Sequence, residues 1–286
     1  MLAEVEVLHP GLFSSIQDKG RFGFMGYGVP VSGPMDSYAA KMANLLLKNP
    51  ENSAVMEITQ MGPKLRFSET AVIAITGANL SPTVNGEAVE NNQLIVINAG
   101  DVLQFGKRIF GCRTYLAVKG GFQTEEVLKS RSWYQDITSF ARLEKGMKLA
   151  YPVSAGEGIV EAHATIRSGS YISTSAIEAF SGPEFDRLSA SEKERLENFR
   201  FSPGNDNDRM GIQLSELFPN KLKAILTAPV LPGTVQLTPS GRIIVLMRDG
   251  QTTGGYPRIL QLSQKGINTL AQKVPGDSIY FAIKTK

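Results

Sequence analysis

The residues of this chain best suited to chemistry are three charges and one loop. Arg21 stands in the turn QDKGRFG and Arg209 in DNDRMG. In such turns a guanidinium fork can clamp a carboxylate or phosphate through two parallel hydrogen bonds, or it can staple the turn to a neighbouring segment. Glu57 lies inside the apolar run VMEITQM, where a carboxylate is costly unless paired. It is either half of a structural ion pair or an acid–base group with a shifted pKa. The loop is DGQTTGGYPRI, residues 249 to 259. Gln251, Thr252 and Thr253 supply donors and acceptors. Gly254 and Gly255 permit positive φ and let a ligand approach the main chain with no Cβ in the way, while Tyr256-Pro257 stiffens the exit and offers an aromatic wall. Hydrogen bonds from such a loop to a charged ligand are worth roughly 1.5–3 kcal/mol each, so a few suffice for a micromolar site. The alternative is a glycine-rich hairpin between two strands.

Other standard chemistry is absent from the pattern. There is no GxxxxGK[ST] phosphate loop, and the glycines of GRFGFMGYG (20 to 28) have the wrong spacing for a dinucleotide fingerprint. ATP therefore needs another site or another subunit. The two histidines, His9 and His163, lack HExxH spacing, so no metal site is assigned and each reads as a surface or hydrogen-bonding residue. No GxSxG elbow occurs. The single Cys112 can form neither an internal disulfide nor a thiolate cage, which fits a reduced, intracellular setting. A methionine-lysine-methionine biotin-attachment signal is missing too, since AKMAN (40 to 44) reads as helix core.

The elements that must position these residues are mostly strands. Short alternating or apolar runs bounded by Gly, Pro, Asn and Asp recur: AVIAITGA (71 to 78), QLIVINAGDVLQF (93 to 105), TYLAVKG (114 to 120), GRIIVLM (241 to 247) and DSIYFAI (277 to 283). Helical spacing appears in DSYAAKMANLLLKN (36 to 49), with Asp36 as N-cap. It appears again in SASEKERLENF (189 to 199), where Ser191 and Glu194 have capping-box spacing, and in LSQKGINTLAQKV (262 to 274). AGDVLQF (99 to 105), KGMKLAY (145 to 151) and PGDSIYF (275 to 281) repeat a tight turn feeding a strand. Together with the paired Arg-Gly turns, this repetition predicts a mainly β chain of two related barrel halves, 1–156 and 157–286, with a candidate linker over 157 to 169.

The 286 residues are 42% hydrophobic and 20% charged, an ordinary globular composition that argues against disorder or coiled coil. Thirty basic residues against 27 acidic ones give +3, with no basic block to track a nucleic-acid backbone. No window offers some 18 uninterrupted apolar residues, so the expectation is a soluble, cytosolic protein that binds neither nucleic acid nor membrane.

The ordered set HPGLFSSIQDKGRFGF (9 to 24), GVPVSGPMD (28 to 36), ANLLLKNP (43 to 50), MEITQMGPKLRF (56 to 67), AITGANL (74 to 80), AGDVLQFG (99 to 106), YLAVKGG (115 to 121), NDRMGIQL (207 to 214), PGTVQLTPSG (232 to 241) and DGQTTGGYPRI resembles the biotin-dependent carboxyltransferase-like family. That family includes the 5-oxoprolinase C subunit, KipA and the second allophanate-hydrolase-type subunit. The resemblance implies tandem cyclophilin-like β-barrels. It implies a B-type (KipI-like) subunit and an A-type (LamB/YcsF-like) subunit as partners, and ATP in the assembled complex that opens 5-oxoproline, a small lactam, to glutamate. By the same resemblance the chain could instead be a KipA-type regulator that antagonises a kinase-inhibitor partner, or a urea-carboxylase-like subunit. Arg21, Glu57 and Arg209 are then the candidate catalytic residues, and Gln251 to Tyr256 the substrate-binding loop. The chain reads Thr227-Ala228 where many relatives carry an acidic residue, and Arg248-Asp249 where relatives often have Ala-Asp.

Overall fold

A computed structural model describes residues 1–153 and 170–284. The chain falls into two units, one of Met1–Arg21 with Ser32–Gly169 and the other of Phe22–Val31 with Ser170–Lys286. The expected boundary at 156/157, the linker and His163 lie outside the described residues. Both units are mainly β, with three α-helices among the described residues.

The first unit has a six-stranded sheet in the order Lys148–Pro152, Leu2–His9, Lys64–Phe67, Val102–Gln104, Thr83–Val84, Glu87–Ala88. A five-stranded sheet runs Phe13–Gln17, Val55–Thr59, Phe110–Val118, Ala71–Asn79, Leu94–Ile97. Alternation sends Val5, Val7, Leu65 and Phe67 from the first sheet into one core with Ile16, Met56, Ile73 and Leu116 from the second. Helix α1, Ser37–Leu46, lays Ala39, Ala40 and Ala43 against Ala74, Tyr115 and Ala117. Its start is fixed as expected, since Asp36 accepts a hydrogen bond from the Ala39 N–H at 3.1 Å.

The second unit is built on a seven-stranded sheet in the order Pro203–Asn207, Gly211–Leu214, Ile243–Leu246, Thr234–Leu237, Arg258–Leu262, Ala176–Ser181, Tyr280–Lys284. Val235, Leu237, Ile243, Val245 and Leu260 are fully buried. Two helices follow, α2 at Ala190–Asn198 and α3 at Gln264–Ala271. The capping box of α2 joins Ser189 to Glu192, not Ser191 to Glu194. Ser189 has the extended backbone a cap needs, whereas Ser191 already lies inside the helix. The three tight-turn repeats do share a conformation: Gly100, Gly146 and Gly276 have φ of 87°, 86° and 93°, which a Cβ would oppose. Among the described residues no helix is long and apolar enough to cross a membrane.

Candidate functional site

The glycine-rich loop forms a small ribbon in the second unit. Thr253–Gly254 pairs antiparallel with Ala228–Pro229, Ala228 opposite Gly254 and Pro229 opposite Thr253. The pairing extends at both ends through Val230 N–H to Thr252 O (3.0 Å) and Ile225 N–H to Gly255 O (2.9 Å). Gln251, Thr253 and Tyr256 are exposed along it. The glycines act otherwise than expected, for neither Gly254 nor Gly255 has φ in the left-handed region. Gly254 is closely approached instead: a Cβ there would stand 2.3 Å from Gln236 Nε2, so the amide end of that side chain would have to shift. At Gly255 the nearest atom is the Ile225 carbonyl oxygen at 3.6 Å, an ordinary contact.

Gln236 was not legible as a site residue. It sits in TVQL, whose four residues are all buried, with Val235 and Leu237 turned into the core. Alternation puts Gln236 on the opposite face of its strand, beside Ile244 and Arg258. The register shifts between Val235 and Gln236, so that Leu260 faces Val235 but Arg258, not Ile259, faces Gln236. Such bulges re-aim side chains next to functional sites. Gln236 is 1% exposed and its Nε2 finds no acceptor in the protein, a state that costs about 1–3 kcal/mol.

Two ion pairs fix this region. Arg258 donates from Nε and Nη2 to the two oxygens of Glu184, at 3.0 and 2.9 Å, and from Nη1 to the Pro229 carbonyl at 2.9 Å. One residue thus ties the ribbon to the sheet. Hydrogen bonds from Arg258 hold the Glu184 carboxyl below its usual pKa, and those to Glu184 raise that of Arg258. At the other end Arg209 Nε and Nη2 donate to Asp249 Oδ2 and Oδ1 at 2.7 and 3.2 Å. The fork that the sequence offered to a ligand anion holds the carboxylate that opens the loop.

In the first unit Arg21 is fully buried, donating from Nη1 to Ser32 Oγ at 3.0 Å and from Nη2 to the Ser132 carbonyl. These are stapling bonds. The two Arg-Gly turns share one device: Asp18 Oδ1 accepts from the Gly20 N–H at 2.9 Å, and Asp208 Oδ1 from the Met210 N–H at 2.8 Å. Glu57 Oε2 accepts from the Met35 N–H and the Tyr115 hydroxyl, both at 2.7 Å. That hydroxyl in turn accepts from the Asp36 N–H at 2.7 Å. Burial, then the nearby Glu57 and Asp36, pushes the Tyr115 hydroxyl well above its usual pKa, so it stays a proton donor. The Glu57 carboxylate therefore orients the entry to α1. Among the described residues no three His, Cys, Asp or Glu side chains come together as a metal site.

Known proteins share this architecture. The carboxyltransferase domain, subdomains A and B, matches residues 27–283. The 5-oxoprolinase C subunit of Escherichia coli is 28% identical over 279 residues, 97% of this chain and 90% of that protein. The urea amidolyase of Lachancea kluyveri is 42% identical over 130 residues, 45% of this chain and 7% of that protein. In three dimensions the urea carboxylase of Kluyveromyces lactis overlays with a TM-score of 0.87 at 28% identity, covering 99% of this chain. This chain spans 27% of that urea carboxylase, and 56% of another solved chain of the same fold.

Proposed function

This chain belongs to the carboxyltransferase-domain family of subdomains A and B, and from that footing we propose that it is the C-type member of a heteromeric, ATP-dependent 5-oxoprolinase. The reaction opens 5-oxo-L-proline to L-glutamate. One observation carries the reading: in sequence, likeness to the 5-oxoprolinase C subunit runs through 97% of this chain and 90% of that protein, whereas sequence likeness to urea amidolyase covers 45% of this chain, although the fold of the urea carboxylase overlays 99% of it. The higher identity within that shorter stretch, 42%, favours a second reading, a carboxyl-transfer component of a urea-carboxylase-like system.

None of the three described helix N-termini is an open phosphate site. Helix N-termini are ready phosphate sites, but here Asp36 closes α1, Ser189 with Glu192 closes α2, and Ser263 closes α3. A carboxylate at the first two repels phosphate. ATP accordingly belongs to a partner subunit, of the B or A type, and this chain's part is to hold and orient the lactam. In that role Gln251, Thr253 and Tyr256 present exposed side chains along the ribbon. Arg209 works through Asp249 as a positioning residue, Arg21 as a staple, and Glu57 through the Tyr115 hydroxyl.

Reconstitution tests the reading. Coexpressed with B-type and A-type subunits, the chain is expected to copurify, burying on the order of 1,600 Å² as specific complexes do. The mixture should release glutamate from 5-oxoproline and hydrolyse ATP together, and the chain alone should do neither. Normal assembly without glutamate release would favour a regulatory antagonist of the B-type partner.

A further inference from the structure

Gln236 is a buried amide whose N–H has no acceptor, and it lies directly beneath Gly254, where a Cβ would stand 2.3 Å from its Nε2. Nothing in the packing of the strand demands an amide at this place. Its partners across the strands are Ile244 and Arg258, Arg258 is already engaged by Glu184 and Pro229, and Val230 lies beside Gly254. A methionine would fill the same space without leaving a donor unsatisfied. An orphan N–H is tolerated where a ligand supplies the acceptor.

The cover over Gln236 is a two-stranded sheet, against the seven strands of the sheet beside it. The ribbon has two residues in each arm, and an isolated two-stranded ribbon is marginal by itself. It is tied to the sheet by the Arg258 Nη1 bond to the Pro229 carbonyl and, just past its arms, by the Leu237 N–H to the Pro257 carbonyl and the Thr234 N–H to the Leu231 carbonyl, both at 3.0 Å. Gly254 lies over Nε2, while the Val235 and Leu237 side chains are buried on the other face of the strand.

We propose that the Gln236 side-chain amide donates a hydrogen bond to the ring carbonyl oxygen of the lactam, which enters beneath the lifted Thr253–Gly254 arm. The inference rests on the 5-oxoprolinase reading and makes Gln236 a specificity-determining residue, because L-proline has the same ring and carboxylate but no such oxygen. Binding exchanges an unsatisfied donor for a satisfied one. The ribbon then closes on the ligand from above.

The test uses the full chain, Gln236→Met and Gln236→Glu. The Gln236 side-chain NH₂ signals are assigned by nuclear magnetic resonance as the pair absent from Gln236→Met. On adding 5-oxo-L-proline, but not L-proline, they should move downfield. In the three-subunit mixture Gln236→Met should raise KM about tenfold, the factor that 1.4 kcal/mol represents, and Gln236→Glu should raise it further. The melting temperature of Gln236→Met should equal or exceed that of wild type. A fall in melting temperature with unchanged KM would make the amide structural and overturn the proposal, as would NH₂ signals that ignore 5-oxo-L-proline at millimolar concentration. An amide shift without glutamate release by the wild-type mixture would sustain the subsite and sink the enzymatic reading, so the two fail separately.

Discussion

Asp249 and Arg209 close on each other through two hydrogen bonds of 2.7 and 3.2 Å, with side chains only 7% and 8% exposed. The Asp249 N–H also bonds the Arg209 carbonyl at 2.9 Å. A hairpin-like clasp therefore fixes where the glycine-rich loop departs from the strand Ile243–Leu246.

Breaking that clasp from one side should be costly. Arg209→Ala strands a buried carboxylate, and such changes destabilise by about 3–5 kcal/mol. Urea unfolding should show that loss, accompanied by at least a tenfold drop in turnover of the assembled mixture. The double variant Arg209→Met with Asp249→Leu should unfold later than Arg209→Ala, because it removes the stranded charge. Wild-type stability in Arg209→Ala would refute the clasp.

The Glu184–Arg258 pair predicts an acid limb. The Glu184 carboxyl titrates below its ordinary 4.5 because Arg258 donates to it. A depressed carboxylate stabilises the folded state at pH above its unfolded value, and that contribution is lost as pH falls through the lower folded value. Unfolding free energy should thus decline on acidification below about pH 4.5. Glu184→Gln should be less stable at neutral pH and show a shallower decline. Identical acid limbs in chemical denaturation at several pH values would contradict this.

Gly254 and Gly255 should separate cleanly. Gly255→Ala meets nothing closer than 3.6 Å and should leave stability within about 0.5 kcal/mol. Gly254→Ala drives a Cβ into Gln236 Nε2, an overpacking that should cost about 1–3 kcal/mol or displace the ribbon. Thermal melting and amide exchange at Thr253 and Gly254 would report which. Equal effects of the two substitutions would count against close approach as the reason for Gly254.

Tyr115→Phe removes a hydroxyl that donates to Glu57 and accepts from the Asp36 N–H. Each buried group left unsatisfied costs about 1–3 kcal/mol, so calorimetry should record a clear drop in melting temperature. A variant as stable as wild type would show that the hydroxyl is dispensable at the start of α1.

Short-range geometry governs the features that the chain alone made readable. Short apolar runs bounded by Gly, Pro, Asn and Asp located what became Ala71–Asn79, Phe110–Val118 and Ile243–Leu246. The residue before a helix named Asp36 as a cap, and three Gly-centred turns adopted one backbone conformation. For the cap and the turns the interacting groups lie within about four residues, so the pattern is written in the chain. Even there, the choice between Ser189 and Ser191 waited on which serine kept an extended backbone. What the charges do was set in three dimensions. Arg209 meets a carboxylate 40 residues on, Glu57 a hydroxyl 58 residues on, and Arg258 a carboxylate 74 residues back. The sequence could require a partner for Glu57, since burying a bare carboxylate is prohibitive, yet could not name it. Gln236 came into view only beneath Gly254, because which residues face each other across strands depends on register, and one bulge beside Ile259 set Arg258 opposite Gln236.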